Sequence, residues 1–251
     1  MAIIKTDAIL LKKTQLRETS LIIDFFTEES GKIKGVLKGV RCPEPQFGAL
    51  YEVFTLDRIV FYEKKNKDLF IISQCELIDF FPELRESLEK LGYASYFTEL
   101  IDLAVESGEK NKAIFKLLLD SLRILSEPGS AKRLTRVFEI KLLKELGLMP
   151  GLKSCVSCGK EVATGKAGFS IIGGGILCRD CFKSDPKVRP ILAGTLNFIE
   201  HVSVTPMDKI SRIKVSTDVG RELERVMADF LSFHINRKFK SIEFLQEVGA
   251  L

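Results

Sequence analysis

Four cysteines stand in two pairs, Cys155-x2-Cys158 and Cys178-x2-Cys181, with 19 residues between the pairs. Two residues between thiols let one tight turn present both sulfurs to one ion, and two such turns complete a tetrahedron of metal–sulfur bonds. This is the spacing of a zinc site. An iron–sulfur cluster and a redox dithiol are the competing readings, but two pairs at this separation are better explained by one shared metal. Gly159 after the first pair eases a tight turn. Four protein ligands leave no coordination position for water, so the expectation is one structural Zn2+, not a catalytic one. Cys42 and Cys75 are isolated and read as small buried or loop residues.

Other chemistry is thinly supplied. Gly159–Lys166 has five residues between its glycines, and Ala167 stands where a phosphate loop needs Ser or Thr to hold magnesium. Gly173-Gly174-Gly175 reads as a hairpin turn. There is no G-x-S-x-G, and the two histidines, His201 and His234, read as structural or surface residues. A protein that binds without a nucleotide cofactor, and is not an enzyme, is the simplest account. The start, MAIIKTDAILLKK, lacks the apolar core of a secretory signal, and no stretch approaches the ~18 apolar residues of a membrane span, so a cytoplasmic protein with no membrane contact is expected.

The net charge is +4, and its distribution says more. Acids and bases balance through residue 150; residues 151–251 hold 15 Lys+Arg against 11 Asp+Glu. Within the balanced part, Lys32, Lys34, Val36 and Lys38 alternate, so in a strand they share one face, with Arg41 just beyond. Such a stripe suits a phosphate backbone, although lysines also keep an exposed strand soluble. Arg237, Lys238 and Lys240 form a second basic cluster, and Lys132, Arg133 and Arg136 a third. Phe25, Phe26 and Phe61 sit in apolar runs and read as core.

The elements that must position these groups follow from periodicity. Ala2–Lys12, Ser20–Thr27, Lys32–Val40, Val53–Tyr62 and Leu69–Cys75 are rich in Ile, Val, Leu and Phe and are separated by turn signals at 28–31 and 64–68. Five short strands in about 80 residues suggest a small closed or partly closed barrel, of which an OB-fold is one solution, and barrels remove the exposed-edge problem. Residues 83–147 read as helical: Leu84, Leu88 and Leu91, then Ile114, Leu117, Leu118, Ser121 and Leu125, recur at helical spacing. Pro128-Gly129-Ser130 breaks the run, and a helix from Ala131 to Leu146 stops at Gly147. Phe169–Ile172 and Ile176-Leu177 predict a hairpin into the second cysteine pair. Thr195–His201 reads as a short helix, and Val219, Leu223, Val226, Met227, Phe230 and Leu231 mark a longer one capped by Thr217 or Asp218. The expected organisation is α+β and multidomain: an OB-fold barrel at 1–80, a helical domain at 81–150, an inserted four-cysteine zinc module at 151–185, and a C-terminal helical part at 186–251 that packs with the helical domain.

With these residues in view, the chain resembles the RecO family of recombination mediators nearly end to end. KTDAILLKKTQLRETSLIIDFFTEESGKIKGVLKGVR is similar to the family's N-terminal barrel, with its E-x-S step, T-x-x-x-G-K turn and K-G-x-R end. FEIKLLKELGLMPGLKSCVSCGK resembles the helix entering the zinc knuckle, GGGILCRDC the second knuckle, and RKFKSIEFL the family's C-terminal end. After Arg41 the family usually carries a more basic loop; Cys42-Pro43-Glu44-Pro45-Gln46 departs from it. The resemblance implies DNA repair by homologous recombination in the RecFOR pathway, binding of single- and double-stranded DNA, and strand annealing without ATP. It also implies a complex with RecR, contact with the acidic tail of single-stranded-DNA-binding protein, and indirect service to RecA at the nucleoid. It assigns DNA contact to Lys34, Lys38 and Arg41. Lys32, Lys5, Lys12, Arg237, Lys238 and Lys240 are further DNA candidates, and Arg136 and Arg133 are candidates for docking the acidic tail. The competing functions are a zinc-ribbon interaction module for transcription or translation, which would not anneal DNA, and a zinc-dependent enzyme, which needs an open coordination position.

Overall fold

The computed structural model describes residues 2–17, 20–38, 51–63, 69–162, 167–183 and 188–250. They divide into two compact units: Met1–Gly129 with Phe239–Leu251, and Ser130–Lys238.

The first unit opens with strands β1 (Ala2–Arg17), β2 (Ser20–Thr27), β3 (Gly31–Lys38), β4 (Leu56–Glu63) and β5 (Phe70–Asp79). They close into a barrel in the order β1-β2-β3-β5-β4. Closure depends on the length of β1. Its first half pairs with β4, from Ala2 opposite Glu63 to Ile9 opposite Leu56. Its second half pairs with β2, from Ala8 opposite Thr27 to Arg17 opposite Ser20, with irregularities between Leu10 and Lys12 and between Gln15 and Arg17. One strand therefore borders both ends of the sheet, and such an irregularity supplies the bend. The remaining seam is a short parallel pairing of Gly35 with Phe70 and Val36 with Ile71. Gly35 is needed there, because a Cβ would sit 2.5 Å from the Ile72 side chain.

Alternate residues fill the barrel: Ala8, Leu10, Ile23, Phe25, Ile33, Leu37, Ile59, Phe61 and Ile72. Phe26 faces outward yet is fully buried, and its ring lies 6.1 Å from that of Phe115. The helices of the unit are α1 (Pro82–Arg85), α2 (Leu88–Ala104), α3 (Lys112–Ser126) and, from the chain's far end, α8 (Lys240–Glu247). Leu84 and Leu88 do not share one helix: Ser87 accepts from Lys90 N and starts α2 afresh, leaving Leu88 exposed. Helix α8, which the hydrophobic pattern did not reveal, lies on α2. Gly92 makes room for Leu245, Glu99 accepts from the backbone N–H groups of Lys240 and Ser241 at 3.0 and 2.9 Å, and Tyr93 donates to Ala250 O at 2.8 Å.

The second unit holds α4 (Ala131–Glu145), β6 (Ala167–Ser170), β7 (Gly175–Leu177), α5 (Arg179–Lys183), β8 (Arg189–Ile191), α6 (Ala193–Val204) and α7 (Thr217–Ile235). Ser130 caps α4, and Gly147 in the left-handed region ends it. Helix α7 is capped by Ser216, one residue before the expected Thr217 or Asp218, because its hydroxyl reaches Val219 N. The hairpin β6–β7 forms as expected, and β8 adds an unforeseen third strand along β6. The helices read from 81–150 are thus shared: α1–α3 belong with the barrel, α4 with the cysteine-bearing unit, and α8 returns to α2. Among the described residues, no helix is long and apolar enough to cross a membrane.

Asp57 on β4 is 2 % exposed. Burial pushes its carboxyl up to about 6, although the Thr55 hydroxyl donates to it at 2.7 Å and the Cys75 thiol also bonds to it. A carboxyl raised above its ordinary 3.8 binds its proton more tightly in the folded chain, so its contribution is present at low pH and is lost as pH climbs from about 4 to 6. Protection of β4 amides from hydrogen exchange should fall across that window, and Asp57→Asn should flatten the fall. An unchanged slope in the variant would remove Asp57 as the cause.

Candidate metal centre and nucleic-acid interface

The sulfurs of Cys155, Cys158, Cys178 and Cys181 all lie within 4.8 Å of one another, and Cys158 Sγ is 3.8 Å from Cys178 Sγ. A tetrahedron with ~2.3 Å metal–sulfur bonds has edges of ~3.8 Å, so the donor set fits a thiolate-bound metal such as zinc. Local backbone explains the convergence. Gly159, at φ 75°, donates its N–H to Cys155 O at 2.8 Å, closing the first turn. Val156 N donates to Ile176 O at 2.9 Å, which ties that turn to β7, the strand leading into Cys178. Helix α5 then brings Cys181 round, with Phe182 N donating to Cys178 O at 2.8 Å. Cys155 is buried with Leu177 and Val188, while Cys158 is exposed.

The electrostatics favour a cation. Desolvation opposes ionisation of Cys155, yet the backbone N–H groups of Cys178, Cys158 and Ser157 outweigh it and draw the thiol down to about 6. The Cys181 N–H is the largest influence drawing Cys178 down. For Cys181 a bond with Ser157 pulls downward, but the sulfurs of Cys158 and Cys178 outweigh it and hold the thiol up, to about 12. Four thiolates this close repel one another until a positive ion sits among them.

The basic candidates fall less evenly. On β3, Lys34 and Lys38 are exposed as expected, but Val36 between them is only 7 % exposed. Lys32 is already engaged, its ammonium donating to Asp102 O and, at 3.1 Å, to Asp102 Oδ1 at the end of α2. Asp24 interrupts the stripe: on β2 it stands opposite both Lys12 and Lys34, with Lys34 Nζ 3.7 Å from its carboxylate. Burial raises the Asp24 carboxyl, with Lys34 the main opposing influence. Lys5 and Lys12 are exposed on β1. Arg41, with the departing loop after it, lies outside the described residues.

In the second unit, Arg237 and Lys238 are exposed beyond α7; Lys240 is exposed at the start of α8 in the first. The third cluster is largely spent internally. Arg136 donates to Glu224 O at 3.3 Å and pairs at 3.1 Å with buried Glu139, its side chain 12 % exposed. Arg133 is half-buried and reaches Ile213 O at 3.5 Å. Arg136, expected as a docking cation, is engaged in these internal contacts. Asp24 is the residue that sequence reasoning missed: its signal, an acid alternating with Ile22 in an apolar strand, shows only once the register sets it beside Lys34.

The family model described as Recombination protein O N terminal matches residues 1–81, and the one described as Recombination protein O C terminal matches residues 85–243. The chain belongs to the RecO family. It is similar to the DNA repair protein RecO of Pelotomaculum thermopropionicum, 34% identical over 249 residues covering 99% of this chain and 96% of that relative. The RecO proteins of Desulforamulus reducens and Symbiobacterium thermophilum are 31% and 30% identical, covering 99% and 98% of this chain and 96% and 97% of their own. The β-rich N-terminal region, the helical C-terminal region and the four-cysteine cluster expected from the RecO resemblance are all present.

Replacing Cys155, the buried member, with Ser should abolish stoichiometric metal binding and speed hydrogen exchange in residues 151–162 and 167–183, while β1–β5 keep their protection. Native mass spectrometry and exchange of the purified chain read both. Tight metal retention in the variant would contradict a four-sulfur site.

Proposed function

We infer that this protein is a recombination mediator that binds single- and double-stranded DNA, anneals complementary strands without ATP, and with RecR helps load RecA onto strands coated by single-stranded-DNA-binding protein. The observation that carries this reading is a set of exposed lysines on the outside of the barrel of a RecO-family chain, Lys34 and Lys38 on β3 with Lys5 and Lys12 on β1. Phosphate contacts of this kind give affinity without sequence preference, and that affinity falls steeply with salt. Covering both strands with cations lowers their mutual repulsion until bases pair. Asp24 beside Lys34 keeps the grip moderate, which suits a protein that must release its product.

The metal is one Zn2+ held by Cys155, Cys158, Cys178 and Cys181. With every ligand supplied by the protein its role is structural, and the protein is not an enzyme. Arg237, Lys238 and Lys240 offer further phosphate contacts. The acidic tail of single-stranded-DNA-binding protein meets the start of α4 through Lys132 and Arg133, since Arg136 is already paired. The working location is the cytoplasm, at the nucleoid.

The test follows annealing of complementary strands by fluorescence transfer, without ATP, across a salt series. Lys34→Ala with Lys38→Ala should slow annealing and make the salt slope of single-strand affinity shallower by ~1.4, about 0.7 per lost phosphate contact. Asp24→Asn should act oppositely and tighten binding several-fold at low salt. Annealing indifferent to the lysine changes would move the DNA to the 237–240 segment, and a strict need for ATP would overturn the mediator reading.

A further inference from the structure

The open barrel face carries something phosphates do not need. Pairing sets Val36 opposite Ile71, Ile71 opposite Tyr62, and Tyr62 opposite Ile3, one continuous row across β3, β5, β4 and β1. The sequence neighbours Leu37, Phe70, Ile72, Phe61 and Ile4 belong to or pack on the barrel core, so the row itself points outward. Ile3 is 66 % exposed and Ile71 40 %, and Tyr62 between them is half-buried. Helices cover the outer face elsewhere, where Phe26 meets Phe115 and Lys32 meets Asp102. Val36, at the β3 end of the row, is itself buried, so the open part is Ile71, Tyr62 and Ile3.

Its surroundings indicate the occupant. One step along the strands stand Lys34 and Lys38, on either side of Val36, and Lys5, beyond Ile3. The other described neighbours one step away on β4 and β5 are Val60 and Gln74. An aromatic ring between apolar side chains, rimmed by cations and about one sheet-width (~14 Å) long, matches an unpaired strand whose bases lie flat while its phosphates reach the lysines. A duplex hides its bases and can use only the lysines.

We propose that Tyr62, between Ile3 and Ile71, is a base-stacking platform that makes this barrel face prefer single-stranded over double-stranded DNA. The inference rests on the barrel-face reading above. The ring stacks on a nucleobase, the isoleucines hold the bases on either side, and Lys5, Lys34 and Lys38 neutralise the backbone. For annealing, this arrangement grips the separate strands and loosens when pairing withdraws their bases.

The test measures the affinity of the full-length protein for a fluorescent oligonucleotide, for the same sequence as a duplex, and for an abasic strand of equal length. Wild-type protein should bind the ordinary strand at least about tenfold more tightly than the abasic one, the scale of one stacked base. Tyr62→Ala should lose about that factor for the single strand and change duplex binding less than about twofold, while Tyr62→Phe, which keeps the ring, should bind as wild type does. The abasic comparison needs no variant and stands even if Tyr62→Ala does not fold. Equal affinity of wild-type protein for ordinary and abasic strands would overturn the platform and give the apolar row to a protein partner. If the platform fails while Lys34→Ala with Lys38→Ala still weakens both DNA forms, the barrel-face reading survives. If those lysine changes are silent too, both fall together.

Discussion

Strand β1 must reach two neighbours at once. It lies against β4 with one half and against β2 with the other, so the ring has no free edge along β1, and the short β3–β5 seam needs only two residue pairs to finish it. Ring closure sets which residues face in and which face out. Because period-two alternation admits no half-measure, a one-residue slip along β1 would turn Ala8 and Leu10 outward and Ile9 into the barrel interior. The core of the barrel, the outward row through Tyr62 and the exposure of Lys34 and Lys38 all follow from that single register.

Charge on the barrel's outside is distributed by the helices as much as by the strands. Lys32 shares its face with Lys34 and Lys38, yet it is tied to the end of α2, which docks the helical layer on the barrel. Asp24 sits between Lys12 and Lys34 and tempers both. The net basic character of the face is therefore less than the count of lysines suggests, and its position is displaced toward the end where Ile71 and Tyr62 lie open. In the other unit Arg136 and Glu139 make a comparable trade: a cation that looks available on a helix is consumed by a buried acid one turn on.

What was legible in the sequence follows the range of the interactions. The cysteine pairs were readable because metal geometry acts over a few residues. Strand β2 was readable to its ends, since alternation and flanking turns are local signals. Helix α8 and strand β8 were not, because each exists only through a distant surface: α8 through Gly92 and Glu99 on α2, β8 through β6. The cap of α7 moved by one residue because Ser, Thr and Asp stand side by side and all three are competent; only backbone geometry chooses Ser216. The lysine stripe was half legible: the strand fixed its face, but Asp24 and Asp102 came from elsewhere to claim part of it.

The return of residues 239–250 to α2 has a consequence for synthesis. The barrel unit is built from both ends of the described chain, with the cysteine-bearing unit inserted between them. A nascent chain emerging from the ribosome can close its barrel early, but the face of α2 around Gly92 and Tyr93 stays uncovered until α8 emerges. Translation therefore imposes an order: the inserted unit can collapse around its four cysteines while the older unit still waits, and residues 239–250 act as a latch. A chain cut short after α7 would keep every cysteine and every barrel lysine, yet expose an apolar helix face to the proteases and chaperones that police unfinished proteins.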